Sequence, residues 1–261
     1  MTLQQAIETV LTDGRKAFIP YIMAGDGGLE HLPATILRLQ KLGATAIEVG
    51  IPFTDPVADG PTIEKAGERA LAHGTTLRKV LAILETHAAN FSIPLVVMSY
   101  LNPILAYGAA NFSRDAYAAG VRGVIVPDMP LEERAIIHPE LKDAGIALVQ
   151  LISLTSPVTR IEKLATASEG FIYAVTVNGI TGARAGFTDN LPAHFEKLKA
   201  ASSIPVLAGF GISTPEQVRS MSALADGVIV GSKIVDAIAN DDWAAIEDLM
   251  VDATNMVKEI L

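Results

Sequence analysis

Glu48 stands near the end of a short apolar run, Thr45–Val49, and two further carboxylates, Asp55 and Asp59, follow it in a loop stiffened by Pro52, Pro56 and Pro61. In an extended segment side chains alternate, so Ile47 and Val49 share one face while Ala46 and Glu48 share the other. If the first face packs under helices, Glu48 points into the interior of the sheet. A carboxyl group there is partly desolvated, which raises its pKa and suits it to carry a proton near neutrality. The competing use of such a glutamate is an internal salt bridge, but no basic residue ends a predicted strand. An Asp in a Pro- and Gly-punctuated loop often does no more than shape a turn. Two of them close behind an inward-facing glutamate suit a second catalytic carboxylate, and periodicity does not choose between Asp55 and Asp59.

A second signal is spread over three later loops. Gly209-Phe210-Gly211-Ile212-Ser213 precedes Thr214-Pro215, which opens a helical stretch, and Gly231-Ser232 leads directly into the helical Lys233–Ala239. Glycine lets a backbone approach a ligand closely, and a helix N-terminus presents free N–H donors in a favourable dipole. Together they suit a phosphate group. Between them, Val177–Phe187 carries three glycines and few anchoring hydrophobics, the composition of a lid.

The absences narrow the chemistry. There is no cysteine, and all five histidines lie in predicted helices or beside them, so thiolate chemistry, disulfides, a catalytic triad and a histidine metal site are not expected. Neither a Gly-x-x-x-x-Gly-Lys loop nor a Gly-x-Gly-x-x-Gly after the first strand is present. No strand candidate contains a Lys for a Schiff base. The net charge of −9 argues against nucleic acid. Acid–base chemistry by carboxylates on a phosphorylated small molecule is what remains. With no apolar run long enough to span a bilayer and no basic, apolar leader, a soluble cytoplasmic protein is expected.

Eight short runs rich in Val, Ile and Leu would position these groups: Ala17–Ile22, Thr45–Val49, Leu95–Ser99, Gly123–Val126, Ile146–Leu151, Phe171–Thr176, Pro205–Ala208 and Gly227–Val230. Near-continuous apolar strands alternating with helical patterns predict a parallel sheet covered on both faces. Eight such units close into a (β/α)₈ TIM barrel, an α/β fold of one domain spanning 1–261, whose chemistry lies at the strand C-termini. An open doubly wound sheet is the alternative. Leu3–Leu11 reads as an extra N-terminal amphipathic helix able to plug the lower end, and Asp242–Ile260 as the closing outer helix.

The run Glu48–Ile63, with Pro52-Phe53-Thr54-Asp55-Pro56 and Ala58-Asp59-Gly60-Pro61, resembles the signature of the tryptophan synthase alpha subunit family. Pro20–Asp26, Tyr100–Ile104, Pro127–Pro130 and Gly209–Ser213 extend the resemblance along nearly the whole chain. It implies retro-aldol cleavage of indole-3-glycerol phosphate to indole and glyceraldehyde 3-phosphate in tryptophan biosynthesis. By the same resemblance Glu48 is the general acid/base and Asp59 assists at the indole nitrogen. Thr181 and Gly182 fall on the family's mobile loop, Gly182, Gly211, Gly231 and Ser232 match phosphate-binding positions, and Tyr173, Phe210 and Tyr21 line the pocket. The resemblance implies no metal and no cofactor in this chain. Pyridoxal phosphate would sit in a beta-subunit partner within a heterotetramer of two alpha and two beta chains, contacted through Pro52–Gly60 and Asn102–Gly108. Tyr21, Thr54, Ser99 and Thr176 stand where Phe, Ser, Met and Ser are the commoner family residues. A different phosphate-binding barrel and a non-catalytic binding subunit are the competing functional readings.

Overall fold

The computed structural model describes residues 1–176 and 191–254. Nine parallel strand segments form one sheet: β1 (Ala17–Met23), β2 (Ile47–Gly50), β3 (Leu95–Met98), β4 (Val121–Ile125), β5 (Ala147–Leu148), β6 (Gln150–Ser153), β7 (Ile172–Val175), β8 (Val206–Gly209) and β9 (Gly227–Val230). Their order is β5-β4-β3-β2-β1-β9-β8-β7-β6. The two ends of that order, β5 and β6, are separated by a single residue, Val149. They are two halves of one stave, the first paired with β4 and the second with β7, so the sheet closes into an eight-stave barrel. The open doubly wound alternative is thereby excluded, and the predicted strands lie within about two residues of the observed ones.

The split of the fifth stave coincides with a side-chain hydrogen bond from further along the chain. Val149 keeps its N–H bonded to Val124 O at 3.0 Å, while the N–H of Leu148 turns instead to the Glu169 carboxylate at 2.9 Å. The other oxygen of that carboxylate meets His138 Nε2 at 2.8 Å. A side chain thus satisfies a backbone donor that a buried strand cannot leave unpaired.

Strand alternation sorts the core into two layers. Ile47, Val49, Val97, Val124, Ile172 and Val228 face outward and pack with helix residues such as Ile36, Leu39, Leu84 and Phe195. Ala17, Ile19, Ala46, Val96, Ile125, Val149, Phe171 and Leu207 face inward and fill the barrel. The N-terminal helix, Leu3–Thr12, starts from a Thr2–Gln5 capping box and sends Leu3 and Ile7 into this inner layer. Gly123 makes that possible, since a Cβ there would lie 2.5 Å from Leu3 Cδ2. The last described helix, Trp243–Thr254, ties back to the helix Leu32–Lys41 through Arg38, whose guanidinium lies 3.9 Å over the Trp243 ring.

Candidate active site

The loops after β2, β8 and β9 meet with inward-facing strand residues around a cavity of about 270 Å³ lined by Tyr21, Glu48, Asp59, Tyr173, Phe210, Gly211, Gly231 and Ser232, among others. Eight of the ten site residues expected from the sequence therefore come together. The other two, Thr181 and Gly182, lie outside the described residues, as does the rest of Val177–Phe187, where a lid was expected.

Glu48 points inward, as the alternation requires. It is 2% exposed, and among the described residues its Oε2 has no hydrogen-bond partner. Burial, aided by the negative charge of Asp59, pushes its pKa up to about 8, so at neutral pH the group holds its proton. The loop after β2 brings Asp59 to the same cavity. Pro56 O accepts the Asp59 N–H at 3.2 Å, and Gly60 then caps the helix Pro61–Ala72. Burial raises the Asp59 carboxyl to about 6, against the Tyr100 hydroxyl that hydrogen-bonds it and favours the charged form. The adjacent helix N-terminus favours the carboxylate too. Asp59 is therefore mostly ionised at neutral pH while Glu48 is not.

Of the two aspartates that periodicity left unranked, Asp59 lines the cavity and Asp55 is exposed, accepting a hydrogen bond from Thr54 Oγ1 at 2.6 Å. Tyr100 sits behind the loop. Its hydroxyl accepts the Ala58 N–H at 2.9 Å, and its ring stacks on Phe53 with centroids 5.2 Å apart.

Two tyrosines lean into the cavity over glycines of the next stave. Tyr21 pairs with Glu48 in register, and a Cβ on Gly50 would lie 1.9 Å from its Oη. Tyr173 pairs with Leu207, and a Cβ on Gly209 would lie 2.2 Å from its ring. In both cases the glycine is two residues beyond the register partner, which is what lets a large ring cross the barrel mouth. Burial raises both phenols well above their usual value, so they are neutral donors. Phe210 packs against Tyr173 at 5.6 Å, completing an aromatic slot suited to a flat apolar ring.

The opposite end of the cavity is built from backbone. Phe210 and Gly211 both have positive φ, 69° and 75°; for phenylalanine that conformation costs about 1–3 kcal/mol. Beyond it, Gln217 Oε1 accepts from the Ser213 N–H at 2.7 Å and the Thr214 N–H at 3.2 Å, locking the start of the helix Pro215–Leu224. Gly231 leads into the helix Ser232–Ala239 with no side-chain cap, so its first N–H groups are left to a ligand or water. Lys233 also lines this end. An anion has both dipole and cation to meet it here.

The sequence reading missed Tyr100 and Lys233 as site residues. Tyr100 lies two residues beyond β3, where the rule that chemistry sits at strand C-termini would have found it. Lys233 carries no such signal, since a lysine early in a helix reads as a solvated residue. Asp128, within one of the resemblance motifs, accepts the Leu101 N–H at 3.0 Å and caps the helix Leu101–Tyr107 from the neighbouring loop. Among the described residues no group of three or more His, Asp or Glu converges as a metal site would need.

A family model described as tryptophan synthase alpha chain matches residues 7–260. The tryptophan synthase alpha chain of Bacillus cereus is 48% identical over 255 residues, 98% of either chain. That of Bacillus anthracis is 50% identical over 237 residues, covering 91% of this chain and 92% of its own. Among solved structures, Mycobacterium tuberculosis tryptophan synthase superposes with a TM-score of 0.89 at 34% identity, covering 97% of this chain and 98% of its own. The Legionella pneumophila alpha chain superposes at 0.88 with 31% identity and full coverage of both chains.

Proposed function

The chain belongs to the tryptophan synthase alpha chain family, and from that premise we infer that its cavity is where indole-3-glycerol phosphate is cleaved to indole and glyceraldehyde 3-phosphate. One observation carries the assignment to this site. Glu48 and Asp59 face one cavity in opposite protonation states, between an aromatic slot and an uncapped helix N-terminus.

The mechanism follows from those states. Cleavage needs the indole ring protonated at C3, which turns it into an electron sink. Glu48, neutral at physiological pH, supplies that proton. Its carboxylate then takes the hydroxyl proton from the adjacent glycerol carbon as the carbon–carbon bond breaks. The bonding pair returns to the ring to restore indole, and the carbonyl of glyceraldehyde 3-phosphate forms. Glu48 ends protonated, ready for the next turn. Asp59, ionised, stabilises the positive charge that develops at the ring N–H. Tyr21, Tyr173 and Phe210 hold the ring. Gly211, Gly231 and Ser232, with Lys233 beside them, hold the phosphate, whose binding energy goes into orientation. Thr181 and Gly182, which lie outside the described residues, would complete the site.

In this reading the chain acts as one domain and uses no metal or cofactor of its own. A beta subunit carrying pyridoxal phosphate receives the indole in the cytoplasm, in an assembly of two alpha and two beta chains. Among the described residues no helix is long and apolar enough to cross a membrane.

The test is indole release by two variants alongside substrate binding. Glu48→Gln is expected to abolish turnover while binding indole-3-glycerol phosphate within about threefold of the parent. Asp59→Asn is expected to lose at least about a hundredfold in kcat. Near-normal turnover by Glu48→Gln would remove it from the proton relay, and a normal rate for Asp59→Asn would remove the electrostatic role.

A further inference from the structure

We propose that Thr176 is a positioning residue for the phosphate end of the cavity, its hydroxyl fixing the backbone of Phe210 so that the Gly211 N–H faces the ligand. The inference rests on the reading that the late glycine turns hold the substrate's phosphate. Thr176 is buried and follows β7 directly, where the ladder to β8 ends at the Val175–Gly209 pair. Its own N–H still bonds Gly209 O at 3.0 Å. Its Oγ1 then lies 2.8 Å from Gly209 O and 2.6 Å from Phe210 O, so one hydroxyl proton is shared between two carbonyls.

Those two carbonyls belong to the two peptide units flanking the Phe210 Cα. Rotation of the first unit sets φ of Phe210 and rotation of the second sets its ψ, so a single hydroxyl holds both torsions. This explains how a phenylalanine stays at φ 69°, in a region that L side chains avoid. The second unit matters most for binding. A trans peptide is planar with its C=O and N–H pointing in opposite directions. Drawing the Phe210 carbonyl toward Thr176 therefore turns the Gly211 N–H the other way, and Gly211 lines the cavity. The same constraint sets the Phe210 ring against Tyr173. Thr176 lines none of the cavity itself; it acts through Phe210 and Gly211.

Glycerol 3-phosphate, which carries the phosphate without the indole, is the probe, titrated calorimetrically into the purified chain. Thr176→Val keeps the shape and removes the hydroxyl; it is expected to weaken binding about tenfold, the scale of one hydrogen bond. Thr176→Ser keeps the hydroxyl and is expected to bind within about twofold of the parent. In a Phe210→Gly background, where the left-handed conformation is intrinsically accessible, Thr176→Val is expected to lose no more than about threefold. In turnover the Val variant raises KM for indole-3-glycerol phosphate with kcat little changed, and leaves the pH profile in place. Equal affinity of the Val variant and the parent overturns the proposal. So does a tenfold loss in Thr176→Ser, which decides the matter alone if the Val variant does not fold, or an undiminished loss in the glycine background. If the parent chain itself fails to bind glycerol 3-phosphate, the phosphate-end reading falls first and this inference with it.

Discussion

Two carboxyl groups in one cavity differ in protonation because their surroundings differ. Glu48 is enclosed by apolar walls and the rings of Tyr21 and Tyr173, and nothing among the described residues bonds its Oε2. Asp59 has the Tyr100 hydroxyl and a helix N-terminus beside it. The raised Glu48 pKa has a consequence for stability. Between its ordinary value of 4.5 and its folded value of about 8, the native state holds a proton that the unfolded state has released. Stability contributed by this group therefore falls as pH rises through that window, by roughly 1.4 kcal/mol per pH unit at most. Glu48→Gln removes the titration, so its thermal midpoint should match the parent near about pH 4 and exceed it increasingly up to about pH 8. Scanning calorimetry across that range checks this, and a constant difference at every pH would contradict it. Glu48 was legible in the sequence because strand alternation fixes which way it points. The choice of Asp59 over Asp55 was not legible in periodicity and came only from the family resemblance, because loop direction depends on where Pro56, Ala58 and the Tyr100 hydroxyl meet across distant segments.

The same division holds at the scale of elements. Strands and helices could be read from apolar runs and from helix openings such as Thr214-Pro215, since those signals are local. The break at Val149 could not, because it reflects which neighbouring stave each half pairs with and a carboxylate from Glu169 arriving 21 residues later. The plug helix was visible as an amphipathic stretch, and its burial is directly testable. Ile7 is fully enclosed within the barrel, so Ile7→Ala should lose about 2–5 kcal/mol of stability with kcat/KM little changed, measured by urea unfolding and indole release. At the opposite end, Gly50→Ala places a methyl group against the Tyr21 hydroxyl. The ring must move into the cavity, and kcat/KM should fall at least about tenfold while the fold persists. An unchanged rate would mean the tyrosine has room that the packing denies it.

At the scale of the whole molecule, the barrel gathers loops from distant parts of the chain at one end and leaves the other end for stability. The eight-stave count, the parallel order and the location of the site all followed from the alternation of short strands with helices. The partner surface did not follow from that alternation, and Pro52–Gly60 and Asn102–Gly108 came only from the family resemblance, since a sequence marks an exposed apolar residue no differently from a buried one. Val57, on the loop after β2, and Leu105, in the helix Leu101–Tyr107 that follows β3, are large and exposed on the face where the cavity opens. Association with a beta subunit through this face predicts that Val57→Asp and Leu105→Asp each weaken the complex about tenfold or more, read by analytical ultracentrifugation. Undiminished association of both variants would place the interface elsewhere. The proposed mechanism turns on a neutral Glu48 working beside an ionised Asp59. The pH dependence of kcat/KM for indole release tests this most directly, because it reports the free enzyme's essential groups. The predicted profile is a bell, rising through about 6 as Asp59 ionises and falling through about 8 as Glu48 loses its proton. In Asp59→Asn the alkaline limb should move to lower pH, because the charge that helps hold the Glu48 proton is gone. A rate that climbs or stays level through pH 8 and beyond would contradict a protonated Glu48 as the starting acid, and would make the carboxylate its working form before cleavage.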